Sequence, residues 1–163
     1  MAANDIRPYR SVQGGSDLMA GYPQAASATF REGEPVVLTA GALAECGDDP
    51  PVVHGIAATR ATDAFGTSFA TGTTATVVLG VPTQQFVAFN FATGGAGVAV
   101  TPTQANAIGQ LAGLSLTTGT WFVDTGAANL LVEIDDVVDS AGRKITNPTN
   151  GAGTGFGVVF HFI

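Results

Sequence analysis

Lysine is all but absent from this chain: Lys144 is the only one, and with five arginines against 13 acids the net charge is −7. Nucleic-acid affinity rests on clustered Arg and Lys, so DNA and RNA are excluded as expected partners. Cysteine is equally scarce. Cys46 stands alone and has no internal disulfide partner, and 163 residues suffice for one domain with its own core without such a staple. The first residues show no charged start leading into an apolar stretch, so no cleaved secretion signal is expected and synthesis in a cytoplasm is the default. No apolar run approaches the ~20 residues of a membrane helix, and no membrane partner is expected. Charged residues make up only 12% of the chain, which leaves little polar surface and points to an oligomer.

What is plentiful is glycine, at 22 residues, together with threonine and alternating apolar positions, the makings of strands and turns. The stretch from Phe30 to Ala58, FREGEPVVLTAGALAECGDDPPVVHGIAA, reads as three short strands and two turns. Val36 and Leu38 share one face of the first strand; Val52, His54, Ile56 and Ala58 share one face of the third. Gly41 and the run Gly47-Asp48-Asp49-Pro50-Pro51 supply the turns, and Pro35 sits at a strand start, where a missing N–H costs least. Alternation returns at Thr74 to Val81 and at Gln85 to Phe91, which read as a hairpin turning at Pro82-Thr83. It returns again in LAGLSL, TWFVD, LLVEID and the closing FGVVFHFI, an end so apolar that it must be buried. One short helix is expected over residues 101–107, with Thr101 as cap, Pro102 in the first turn and Gly109 as the stop. The expected fold is therefore all-β: a compact sandwich or barrel-like domain over residues 29–163, preceded by an extended arm over residues 1–28.

The arm carries Arg7, Pro8, Tyr9 and Arg10, large contact residues of the kind found at interface hot spots. Residues 140–155 form a long loop with a basic point at Arg143-Lys144, a length that is usually functional or mobile. Chemistry is harder to find. The glycine-rich run 93–97 is followed by no Lys and no strand-to-helix context, which excludes a phosphate loop. His54 and His161 lie inside strand patterns without metal-type spacing, and Ser16 lacks the context of an exposed nucleophile. Asp135, Asp136 and Asp139, with Asp124, make the best carboxylate group, but their spacing is not that of a calcium loop and they read as a solvated strand exit. Trp121 reads as a core or subunit-interface residue, with a sugar-stacking platform on a jelly roll as the alternative. No catalytic residue, cofactor or metal is expected.

The segments GEPVVLTAGAL and PPVVHGIAA, the apolar strand ending in Gly-Val-Pro, and ANAIGQLAGLSLTTGTWFVD with GVVFHFI cover most of residues 30–163. Together they resemble the small head decoration, or cement, proteins of tailed bacteriophages. The resemblance implies a β-rich body without an enzymatic site, often trimeric, on the outer capsid surface of the virion. It would bridge neighbouring subunits of the major capsid protein. The terminal arm from Ile6 to Arg10 would then pair with capsid strands or fill grooves between capsomers. The expected contact residues toward capsid or sister copies are Ile6, Arg7, Pro8, Tyr9, Arg10, Trp121, Arg143 and Lys144. A tail tube, fibre or baseplate component is the alternative virion role.

Overall fold

A computed structural model describes residues 6–11, 17–95, 97–145 and 156–163. Among them are twelve strands and no helix. The first six are β1 (Arg7–Ser11), β2 (Met19–Pro23), β3 (Pro35–Thr39), β4 (Ala42–Glu45), β5 (Gly55–Ala57) and β6 (Thr74–Leu79). The others are β7 (Gln84–Ala88), β8 (Phe91–Ala92), β9 (Leu111–Thr117), β10 (Thr120–Asp124), β11 (Val132–Val138) and β12 (Gly157–Phe162). They form two sheets. The larger has the order β1-β7-β12-β11-β9-β10-β8, the smaller β2-β6-β5-β3-β4, and only the β8–β10 pairing is parallel.

The main core lies between the sheets. Phe86, Phe160, Phe162, Ile134 and Leu114 from the larger sheet meet Ile56 and Val78 from the smaller one. Phe86 and Phe160 stack with centroids 5.8 Å apart, and Phe162 meets Phe86 edge-on at 5.4 Å, the offset and T-shaped arrangements that aromatic quadrupoles favour. The apolar closing strand owes its burial to position: β12 runs between β7 and β11 in the middle of the sheet.

Where β5 meets β6, the smaller sheet is buried on both faces. Ile56 and Val78 point into the main core, while their neighbours Ala57 and Val77 point into a second core with Phe30, Val36 and Leu43. Beyond β2 the chain bridges to β4, Gln24 pairing with Leu43 and the Ala25 N–H donating to the Leu43 carbonyl at 2.8 Å, so the sheet curls around this second core.

Two hairpins carry the tight geometry that a right-handed strand twist prefers. Ala40 (φ 51°) and Gly41 (φ 83°) join β3 to β4, and Thr118 (φ 50°) and Gly119 (φ 73°) join β9 to β10. Both central residues are left-handed, as in a type I′ turn.

Three expectations are corrected. The segment read as an arm is built into the body where it is described. Ile6 is buried in the main core, β1 pairs with β7, and β2 pairs with β6. Pro8 fits because β1 is an edge strand, where a lost donor faces outward. The helix over 101–107 is a single hydrogen-bonded turn, with Ala107 N–H on the Thr103 carbonyl at 3.0 Å. Thr103 and Asn106 cap each other, and Gly109 donates to Ile134 at 2.8 Å, which ties the segment to β11 before a helix can propagate. Finally, β6 and β7 are not a hairpin: Pro82-Thr83 carries the chain from the smaller sheet to the larger.

Candidate interaction surface

The acids that a hydrolase or a cation site would use are bonded into the fold. Asp124 is completely buried at the end of β10. Its carboxylate accepts the N–H groups of Gly126 at 2.8 Å and Gly95 at 3.1 Å, with Ser115 Oγ at 3.3 Å. It thereby ties residues 93–95 to the 125–127 turn, where a Cβ on Gly126 would collide with the backbone of Gly94 and Gly95. Asp48 and Asp49, read as turn residues, clasp the two sheets together. Asp48 accepts the Leu116 N–H at 2.7 Å, and Asp49 accepts those of Ala128 and Asn129, both at 3.1 Å.

The carboxylates of β11 diverge. A bulge at Asp135 lets it accept Gln85 Nε2 at 2.7 Å, and both of its oxygens lie 3.1 Å from His161 Nδ1. Asp136 pairs with Lys144 at 2.8 Å, and Asp139 pairs with Arg143 at 2.9 Å. The Arg143 backbone N–H above all, then its guanidinium, holds the Asp139 carboxyl below its ordinary value. Each acid thus faces a different protein partner, and among the described residues no three His, Cys, Asp or Glu converge as metal ligands would.

Apolar surface gathers elsewhere. The edge strands β1 and β2 lie on the same side of the two sheets, and between them runs an open groove of about 430 Å³. Ile6, Ala57 and Val78 line it, Pro8 and Met19 flank it, and Arg7, Asp17 and Glu32 add charge. Leu18 and Met19, about half exposed, extend this apolar strip along β2.

The contact residues expected from the sequence are dispersed over the fold. Arg7 and Pro8 do line this groove, whereas Ile6 contributes only its floor because it is buried. Tyr9 is half-buried and its hydroxyl donates to the Gly142 carbonyl at 3.0 Å, pinning the 139–145 turn over the outer apolar cluster of Val87, Val138 and Val159. The backbone of Arg10 pairs with Gln85. Trp121 is 3% exposed and belongs to the main core, so its ring is not available as a stacking platform. Arg143 and Lys144 sit apart from the groove in sequence and in their pairings, each holding an acid of β11 or of the turn after it. Residues 146–155, the rest of the loop expected to contact a neighbour, lie outside the described residues, as do residues 1–5 and 12–16 of the expected arm.

Met19, Leu18 and Glu32 went unnoticed in the sequence. The available signal was the burial-compatible alternation of MAGYP, hidden by small residues and by the Gly and Ser around it. Comparison with protein-family models, curated proteins and solved structures finds no match to this chain.

Proposed function

We propose that this chain is a structural virion protein that binds the outer surface of a phage head and stabilises it by bridging neighbouring major capsid subunits. The observation that carries this reading is the placing of β1 and β2 at the edges of their sheets, in a chain with few charges. A sheet edge takes an extended segment from a neighbouring capsid subunit by main-chain hydrogen bonds, with little call on charged side chains. Repetition over a symmetric shell multiplies each modest contact. The engagement of Asp48, Asp49, Asp124, Asp135, Asp136 and Asp139 in the fold supports a binding role over a catalytic one.

Expanded phage heads lacking decoration, mixed with the purified protein, test the proposal. Binding at a fixed ratio per capsid subunit, with a rise in the melting temperature of the head, is the expected result. Absence of both overturns it. Mass spectrometry of separated heads and tails distinguishes the tail-component role, which predicts the chain in tails alone.

A further inference from the structure

The connection between β5 and β6 ends in a built projection. Thr62 and Ser68 bridge antiparallel, and the Asp63 N–H donates to the Thr67 carbonyl at 2.9 Å. The Asp63 carboxylate then accepts the N–H groups of Phe65 at 2.8 Å and Thr67 at 2.9 Å, and Gly66 takes the left-handed conformation (φ 81°) that closes the turn. The foot is anchored: Ala61 donates to Phe30, Gln24 Nε2 donates to the Phe69 carbonyl at 2.8 Å, and Ser68 Oγ donates to Ala28. At the tip stands Phe65, 92% exposed, the most exposed large apolar residue among those described. A fixed turn that holds an aromatic ring in water is poised to bury it, because little conformational freedom remains to be lost on binding.

We propose that Phe65 is a plug for self-association, entering the β1–β2 groove of a second copy of this chain. Size permits it, since an apolar cavity of ~150 Å³ already holds a benzene ring and the groove offers about 430 Å³ beside Pro8 and Met19, above the buried Ile6, Ala57 and Val78. Charge argues for the same occupant. Arg31, Arg143 and Lys144 are each paired within the chain, whereas Arg60 at the foot of the turn has no partner among the described residues. Glu32 on the groove is the matching acid, likewise without a partner among the described residues. Every copy carries both plug and socket, so the contact closes as a reciprocal dimer or as a ring, according to the rotation between copies. The inference goes beyond the proposed function and stands or falls independently of head binding.

Sedimentation velocity and native mass spectrometry of the full chain over a range of micromolar concentrations provide the test. The wild-type chain is expected to associate, and Phe65→Ser is expected to raise the dissociation constant at least tenfold without shifting the thermal midpoint of the dissociated chain. Glu32→Arg and Arg60→Glu should each weaken association, and their combination should restore it. A wild-type chain that stays monomeric, or an oligomer whose dissociation is unchanged by Phe65→Ser, overturns the proposal. Head binding separates the two readings: a monomer that still saturates phage heads sinks the plug and leaves the capsid role standing, whereas an oligomer that is sensitive at Phe65 but ignores heads does the reverse.

Discussion

The two sheets solve burial differently. The larger sheet buries the rings of Phe86, Phe160 and Phe162 on one face and, on the other, Val87, Val138 and Val159, which the 139–145 turn covers through Tyr9. The smaller sheet is deep on both faces at β5 and β6 and covers its far face by curling on itself; apart from Phe30 its second core is filled by Ala, Val and Leu. A sheet curled tightly around its own interior leaves room only for small side chains next to one or two large ones. The difference teaches that period-2 alternation sorts side chains between two interiors in both sheets, a large one that they share and a smaller one on each far face, covered by a turn in one sheet and by curling in the other.

Cys46 offers the sharpest test of how the sheets are joined, because it follows β4 of the smaller sheet but packs in the core between the two. Burial, and secondarily the neighbouring Glu45, pushes its thiol from an ordinary 9.0 up to about 12. Thiolate is the reactive form, so labelling by Ellman's reagent at pH 8 is expected to be about a thousandfold slower in the native than in the unfolded chain. Fast native labelling would mean that the sheets part without unfolding.

Removing a ring from either core comes next. Phe160→Ala in the main core and Phe30→Ala in the second should each lose about 3–5 kcal/mol in urea titrations. Trp121 emission reports the main core, and far-ultraviolet circular dichroism reports both sheets. Coincident transitions in both variants are expected if the cores unfold as one unit. A Phe30→Ala chain whose dichroism shifts while the Trp121 midpoint stays put would make them separate.

The clasp between the sheets is smaller. Asp49→Ala removes the acceptor for two N–H groups of residues 128 and 129 and should lose about 2 kcal/mol, read from the urea midpoint. An unchanged midpoint would assign the joining of the sheets to core packing alone.

The smallest expected effect compares the two type I′ hairpins. Thr118 is β-branched at positive φ, a conformation that asparagine tolerates, so Thr118→Asn should gain about 1 kcal/mol. Ala40→Asn in the smaller sheet lacks the branched-chain strain and should gain less. Equal gains would show that branching is not what strains the larger sheet's turn.

Strand positions were readable because alternation is local: Val36 and Leu38, Ala75 and Val77, and Phe160 and Phe162 fell on shared faces as expected. The turn at Gly41 was readable from the glycine between two such runs. Pairing was not. A proline-containing bend between β6 and β7 looks alike in a hairpin and in a crossing between sheets, since the choice depends on strands far along the chain. Asp48 and Asp49 carried a turn signature, and their partners lie 68 to 80 residues away, beyond the reach of any local pattern. Phe65 sat in a stretch that reads as a loop with glycine hinges; the Asp63 hydrogen bonds that make it a rigid projection appear only once the loop closes on Phe30 and Gln24.

By itself, then, the sequence determined an all-β class, a buried closing strand and the places of several turns. Tertiary structure decided that β1 and β2 are sheet edges rather than an arm, that the smaller sheet wraps a second core, and that a groove opens between the two edges. The reason is one of range. Propensity and alternation act between residues a few positions apart, whereas strand order and the surfaces it leaves uncovered are set by apolar side chains that meet only when distant segments are packed together.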